Sequence, residues 1–185
     1  MTRKILYIIN PIAGTGSSTT IQKRIEQVTT KASIPFECIP SNAMGNYQEV
    51  GARITNEQYT DVVIAGGDGT VNQVIGALRH LPIQFGIIPI GSGNGLARAA
   101  KIPTSPAAAL THIFEETGKE TDGFLVNQQF ACMLSGLGFD ATVAHAFAKQ
   151  STRGLLTYTK EVIRSEEHTS ELQSHSDLVC RLLLE

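Results

Sequence analysis

Short apolar runs and longer amphipathic segments alternate along the first 120 residues. The apolar runs are rich in β-branched residues and end at Asn, Gly or Pro, which is typical of β-strands. The third run does not alternate with polar residues, so we expect it to be buried on both faces of a sheet. The predicted strands are Lys4–Ile9, Pro35–Pro40, Asp61–Ala65 and Gln84–Ile90.

The segments between these runs carry apolar residues at intervals of three and four, which predicts helices. Ser17 or Ser18 is available to cap the first helix, and Thr70 with Gln73 is predicted to form a capping box that starts the third. Strands that alternate with helices indicate a parallel sheet with helices on both faces, a three-layer α/β fold. The last two predicted helices span Leu96–Lys101 and Ser105–Thr117. The apolar positions of the first three are Ile21, Ile25 and Val28; Val50 and Ile54 within Asn46–Gln58; and Val71, Val74, Ile75 and Leu78.

The pattern changes near residues 118–122, where we place a domain boundary. A hairpin and two helices are predicted after it, which are too few elements for an independent core. The predicted division is therefore an α/β domain at 1–120, the beginning of a second domain at 121–163, and a tail at 164–185. The hairpin strands are Gly123–Val126 and Gln129–Leu137 with Asn127 and Gln128 at the turn, and the helices are Asp140–Gln150 and Gly154–Ile163.

The tail Arg164–Glu185 carries two basic and five acidic residues, so without it the net charge changes from −2 to +1. One interpretation is an amphipathic C-terminal helix with Leu172, Leu178 and Leu182 on one side. We favour the interpretation that the tail is the conceptual translation of a sequencing adapter and is not native. On that interpretation the natural protein continues beyond Ile163.

The composition is that of an ordinary globular protein, with 42% hydrophobic and 17% charged residues. A net charge of −2 argues against binding nucleic acid and against a polybasic membrane anchor. The N-terminal run Ile5–Ile9 is too short for a signal peptide, and no run is long enough to span a membrane. Cys38, Cys132 and Cys180 form neither a metal spacing nor an even disulfide framework, so we expect a cytoplasmic protein.

Three glycine-containing loops, Asn10–Ser17, Gly66–Thr70 and Gly91–Asn94, each follow a predicted strand and precede a predicted helix. In an open α/β sheet, ligands bind at the edge formed by the carboxyl ends of the strands. Backbone N–H groups at a helix N-terminus favour phosphate, and glycine lets the backbone approach it closely. Three such loops at one edge predict a polyphosphate site.

Asp68 is the carboxylate within these loops, and three interpretations are open for it. Asp68 and Gly69 could form a hairpin turn, but a helical pattern follows instead of a strand. Asp68 could cap a helix, although Thr70 is predicted to do so. The interpretation that we favour is functional: the carboxylate holds Mg²⁺ through water or accepts a proton from an attacking hydroxyl.

Neither common nucleotide-binding fingerprint fits these loops. The stretch "NPIAGTGSST" lacks the lysine of a P-loop, and both it and "GSGNGL" lack the third glycine of a Rossmann fingerprint. Together "NPIAG", "GGDGTVNQV" and "PIGSGNGLAR" resemble the catalytic domain of the diacylglycerol kinase and sphingosine kinase family, over about residues 3–163. The stretches "GLGFDATV" (Gly136–Val143) and "RGLLTY" (Arg153–Tyr158) follow in the family's order. The resemblance implies an α/β domain like that of phosphofructokinases and NAD kinases, followed by a β-sandwich.

The resemblance also implies roles for individual residues. Ser92 is expected to contact phosphate, Ser41 to contact the nucleotide, and Asp140 either to position the polar head of the substrate or to cap a helix. Asp68 is the expected catalytic residue and, through water, the metal ligand. The residues expected to shape the loops or bind ATP are Asn10, Gly14, Ser41, Gly66, Gly67, Asp68, Gly69, Thr70, Val71, Asn72, Gly91, Ser92, Gly93 and Asn94.

The activity that the resemblance implies is ATP- and Mg²⁺-dependent transfer of phosphate to a lipid hydroxyl, with diacylglycerol or a related lipid as acceptor. Such a protein would act peripherally at the inner membrane surface. Its oligomeric state is left open, with a homodimer as one option. Sphingoid-base kinase, NAD kinase and non-catalytic nucleotide-binding module are the alternatives. The family also carries a C-terminal acidic Asp-Gly-Glu segment that this chain lacks, so we expect the 185 residues alone to bind nucleotide weakly at best and to transfer little phosphate.

Two further features have open interpretations. Arg98 follows the third loop and either pairs with phosphate or pairs with surface acids. An apolar row in the predicted hairpin either lines a lipid cleft or, as we favour, packs in a sandwich core. The row consists of Phe124, Val126, Phe130, Cys132 and Leu134.

Overall fold

The computed structural model describes residues 2–13, 18–115 and 117–133, all within one compact unit that spans residues 1–134. The predicted helices Asp140–Gln150 and Gly154–Ile163 and the tail lie outside the described residues. The domain boundary placed near 118–122 stays a prediction.

Four parallel strands form the central sheet, in the order β2-β1-β3-β4. This arrangement confirms the predicted α/β fold with a parallel sheet. The strands are β1 (Ile5–Ile9), β2 (Phe36–Pro40), β3 (Asp61–Gly66) and β4 (Gln84–Pro89).

Helices cover both faces of this sheet. On one face α1 (Ser18–Lys31) and α5 (Pro106–Glu115) contribute Ile25 and Leu110 to a core with alternate residues of β1 and β3. On the other face α2 (Gln48–Asn56), α3 (Asp68–Leu78) and α4 (Gly95–Ala99) pack against the remaining residues of the same strands. Every residue of β1 and β3 is buried, so the prediction that the third strand is covered on both faces is confirmed.

The register of the sheet aligns the carboxyl ends of its strands. Ile9 is paired with Pro40 on one side and with Ala65 on the other, and Gly66 is paired with Pro89. The chain leaves β1 toward β2 but leaves β3 toward β4, so the strand order reverses between β1 and β3. This topological switch point is where α/β sheets bind ligands.

The third helix begins two residues earlier than the sequence predicts. Gly67, in extended conformation, is the N-cap of α3, so Asp68 and Thr70 both lie in its first turn. The predicted capping box of Thr70 with Gln73 is therefore wrong, because Thr70 already has helical backbone geometry. Gln73 instead points toward Gly45. A Cβ added at Gly45 would lie 3.5 Å from the Nε2 of Gln73.

A short hairpin follows the sheet, made of β5 (Phe124–Val126) and β6 (Gln129–Ala131). Asn127 and Gln128 both have positive φ, which is the geometry of a two-residue type I′ turn and confirms the predicted turn position. The second strand of the hairpin, β6, ends at Ala131 and not at the predicted Leu137, since residues 132 and 133 form a bend. Within the described residues, no helix has the length and apolar character needed to cross a membrane.

Candidate functional site

Asn10 connects the first loop to α3, the helix that follows the second loop. Its backbone N–H donates to the carbonyl of Ala65 at 2.8 Å, which continues the β1–β3 pairing by one residue. Its side-chain Nδ2 donates to Thr70 Oγ1 at 2.7 Å, and its Oδ1 accepts from the N–H of Ile12 at 3.0 Å. One side chain therefore shapes the first loop and fixes it to α3 across the switch point.

The second and third loops touch through their backbones. A Cβ added at Gly91 would lie 2.5 Å from the Cα of Gly67, a distance that real Cβ atoms do not adopt. A Cβ added at Gly66 would lie 2.7 Å from the Cβ of Thr70. Glycine at these positions thus allows a close approach that any other residue would prevent.

Asn94 holds the third loop in its turn. Its Oδ1 accepts from the N–H of Gly91 at 2.9 Å, and its Nδ2 donates to the carbonyl of Gly91 at 2.7 Å. Its own backbone is left-handed, with φ of 54°, which asparagine tolerates better than most residues. The side chain of Asn94 is committed to the loop itself, so its contribution to a ligand site is to shape it.

The Asp68 carboxylate connects the second loop to the third. Its Oδ2 accepts from the N–H of Gly95 at 2.9 Å, and its Oδ1 accepts from the N–H of Leu96 at 3.2 Å. These N–H groups belong to the first turn of α4, so Asp68 caps a helix, although not the one in which it lies. Each carboxylate oxygen keeps a second lone pair for another partner.

The N-terminus of α3 carries unused donors beside this carboxylate. The N-cap Gly67 makes no side-chain cap bond, and the first helical bond runs from the N–H of Val71 to the carbonyl of Gly67. The N–H groups of Asp68, Gly69 and Thr70 have no acceptor among the described residues. A Cβ added at Gly69 would meet none of their atoms within 4 Å. Within the described parts of the chain, this helix end thus presents donors that have no acceptor.

The remaining predicted residues are placed in different ways. Ser41 follows β2 at the same edge, where its N–H donates to the carbonyl of Ile9 at 2.8 Å, and Ser92 is exposed at the tip of the third loop. The side chain of Val71 is 2% exposed and packs in the core, so it supports the loop from inside. Gly14 and Asp140 lie outside the described residues.

Two more predicted residues turn away from the loop surface. Asn72 points along α3 to the hairpin, where it bonds to Phe130 and Cys132. Arg98 donates from Nε to the carbonyl of Gly93 at 3.0 Å and is exposed, so it braces the third loop. Patterns of residue type gave no signal for these contacts, because each partner comes from another element or from the main chain.

A groove of about 530 Å³ lies elsewhere, between α2 and the end of α3. Its lining includes Tyr47, Gly51, Leu78 and His80, and it shares no residue with the three loops. The crevice between the second and third loops, by contrast, is too narrow to hold a water molecule. A ligand of the second and third loops would therefore lie outside this crevice. Within the described residues, no group of three or more His, Cys, Asp or Glu side chains could hold a metal ion.

Comparison with known proteins identifies relatives of this chain. A protein of Synechocystis sp. described as uncharacterized is 28% identical over 186 residues, covering 92% of this chain and 42% of its own length. A diacylglycerol kinase of Staphylococcus saprophyticus is 26% identical over 148 residues, covering 76% of this chain and 48% of its own. The chain thus spans about half the length of the curated relatives it matches.

Solved structures agree with this relationship. The crystal structure of a diacylglycerol kinase from Bacillus anthracis str. Sterne superimposes with a TM-score of 0.60 and 27% identity, over 69% of this chain and 45% of that one. The diacylglycerol kinase catalytic domain family matches residues 4–126, which contain all three loops. The chain therefore belongs to the family of diacylglycerol kinase catalytic domains.

Proposed function

We propose that the protein is an ATP-dependent lipid kinase that transfers the γ-phosphate to a lipid hydroxyl, with diacylglycerol or a related lipid as acceptor. The observation that carries this proposal is the uncapped N-terminus of α3, which lies at the topological switch point beside the Asp68 carboxylate. Membership of the family supports a lipid kinase activity, and two relatives named diacylglycerol kinase support this choice of acceptor.

The site suits phosphate because its donors are backbone amides that need no rearrangement. The N–H groups of Asp68, Gly69 and Thr70 project from the positive end of the α3 dipole and would bind phosphate oxygens of ATP. The contacts of Asn10 with Thr70 and of Gly67 with Gly91 hold the loops in place before a ligand arrives. Phosphoryl transfer depends mainly on such positioning and on neutralising charge.

The donor set also fits Mg²⁺ bound together with a nucleotide. Magnesium is commonly held by one or two carboxylates plus substrate phosphates and water, so a single carboxylate at this position is sufficient. Asp68 would hold the ion through water. The N–H groups of Gly95 and Leu96 fix the orientation of its carboxylate. A bound Mg²⁺ would offset the negative charge of the phosphates next to Asp68.

An acceptor hydroxyl must reach the γ-phosphate from the solvent side of the loops, since the crevice between them is closed. The proposed lipid acceptor would present that hydroxyl from a membrane surface, so we propose that the protein acts there peripherally. NAD is the acceptor of the principal alternative, an NAD kinase. An assay panel with diacylglycerol, a sphingoid base and NAD as acceptors separates these activities.

The substitution Gly69→Ala tests where the phosphates bind. The new Cβ meets no atom of the described residues within 4 Å, and alanine is compatible with the helical backbone of the first turn of α3. We therefore expect unchanged or higher stability. The affinity for MgATP, measured by isothermal titration calorimetry, should nevertheless fall by roughly tenfold or more, because the methyl group obstructs a charge-assisted bond to the amide.

Gly51→Ala is the matched control, because Gly51 lies within α2 and its added Cβ would make only ordinary contacts, 3.5 Å from Leu78. This variant should bind MgATP as the wild type does. Equal affinity of the wild type and Gly69→Ala for MgATP would place the phosphates elsewhere and contradict the proposal.

A further inference from the structure

Asn72 uses both polar atoms of its side-chain amide to hold the hairpin against α3. Its Nδ2 donates to the carbonyl of Phe130 at 3.1 Å, and its Oδ1 accepts from the N–H of Cys132 at 3.1 Å. The thiol of Cys132 also lies 3.4 Å from the same Oδ1 and donates to it. These bonds commit the Oδ1 and one of the two hydrogens of the Nδ2 to the hairpin.

The geometry of the hairpin explains why this contact is possible. Val126 pairs with Gln129 next to a two-residue turn, so Phe130 occupies a position whose backbone groups point away from β5. The carbonyl of Phe130 and the N–H of Cys132 therefore lie on the free edge of β6. The amide of Asn72 pairs with both groups, as a peptide group of a neighbouring strand would.

The rest of the contact follows the same face of α3. Gly76 lies one turn after Asn72, and a Cβ added there would be 3.3 Å from the Phe130 ring. The Arg79 guanidinium lies 4.6 Å from the centroid of that ring. Asp68 lies one turn before Asn72, so the hairpin docks on the helix face that begins at the phosphate site.

We propose that Asn72 is a positioning residue, not a phosphate ligand, and that it fixes the hairpin at one helical turn from Asp68. This inference rests on the proposed kinase function, in which groups that bind the acceptor must be held at a set distance from the bound phosphates. Asn72 provides that fixed distance, because it is rigidly part of α3 and bonds to the hairpin main chain at two points.

The test is the rate of alkylation of Cys132, resolved by mass spectrometry, in the wild type and in Asn72→Ala. Cys132 is 9% exposed and held by Asn72, so loss of the bonds should raise its alkylation roughly 5- to 150-fold. Cys38 in β2 is the internal control, because only global unfolding would accelerate alkylation at both cysteines. Gln73→Ala, at the exposed neighbouring position, should leave both rates unchanged.

The effect of MgATP on the alkylation of Cys132 distinguishes a positioning role of Asn72 from a local packing contact. Saturating MgATP should slow alkylation of Cys132 in the wild type, because phosphate binding stiffens α3, and should not do so in Asn72→Ala. The affinity of Asn72→Ala for MgATP should match that of the wild type. An unchanged alkylation rate in Asn72→Ala, or a loss of MgATP affinity as large as that of Gly69→Ala, would overturn the inference. Failure of the wild type to bind MgATP would contradict the proposed function instead, while the nucleotide-free rates would still decide the role of Asn72.

Discussion

At the scale of single residues, Asp68 has a structural role, capping α4, that its position in the sequence does not indicate. Its carboxylate holds the first turn of α4 through Gly95 and Leu96, although the residue itself lies in the first turn of α3. The sequence identified the residue, because a carboxylate among glycines is unusual. It did not identify the partners, because they follow the next strand and only the fold brings them near.

Asp68→Asn should affect both stability and binding. The amide cannot accept from both N–H groups, since its NH₂ would face one of them, so we expect a loss of about 1 to 2 kcal/mol in the free energy of unfolding in urea. Glu49→Gln, which removes an exposed acid from the first turn of α2, is the control and should cost less than half as much. The account of Asp68 as a link between loops fails if the two variants lose equal stability.

At the scale of secondary-structure elements, local patterns predicted the strands and helices because both depend on the spacing of apolar residues. The start of α3 was mispredicted because a Thr-Gln spacing was interpreted as a cap. The extended backbone of Gly67 and the bond between Asn10 and Thr70 instead set that start. Hydrogen bonds between residues that are far apart in the sequence leave no periodic pattern of residue types. The contact between Gly67 and Gly91 was equally invisible, since glycine spacing alone does not say which loops touch.

The packing of α1 on the sheet depends on one buried polar pair. The hydroxyls of Tyr7 and Thr29 are 2.8 Å apart and both residues are fully buried, and burial raises the pKa of Tyr7 to about 12. Tyr7→Phe should lower the free energy of unfolding by about 1 to 3 kcal/mol, because it leaves the hydroxyl of Thr29 unpaired.

The double variant Tyr7→Phe with Thr29→Val tests the cause of that loss. Removing both hydroxyls should recover most of the stability, as measured by a double-mutant cycle in urea. Additive losses from the two single variants would show that the hydroxyls do not depend on each other.

At the scale of the whole molecule, the parallel sheet was enough to predict that the loops share one edge. The aligned strand ends bear this out for the described parts of all three loops. The groove beside α2 was not predicted, because it arises from the packing of helices whose side chains carry no recognisable motif.

We expect the dependence of stability on pH to reflect an ion-pair network in which Arg53 contacts Glu37 and Glu57. The hydrogen bond from Arg53 is the main cause that lowers the pKa of Glu37, and a second bond from Arg53 lowers that of Glu57. Both values are lower in the folded chain than the usual 4.5, so the stabilisation is complete above that pH and is lost as the pH falls below it.

Arg53→Gln should therefore flatten the loss of stability between about pH 5 and pH 3, relative to the wild type. The measurement is the urea midpoint at each pH. Lys23→Gln removes an exposed charge from α1 and should keep the wild-type slope. Parallel slopes for the wild type and Arg53→Gln would mean that other carboxyl groups control the acid sensitivity.

Binding of nucleotide phosphates at one edge of the sheet can be tested by titrating ¹⁵N-labelled protein with MgATP and following its backbone amides. The account predicts that the largest amide shifts occur at Gly69 and Thr70, with smaller shifts at Ser92 and Gly95. Amides that line the groove, such as those of Gly51 and Ala52, should move little. Largest shifts at the groove, or none at the start of α3, would contradict the account.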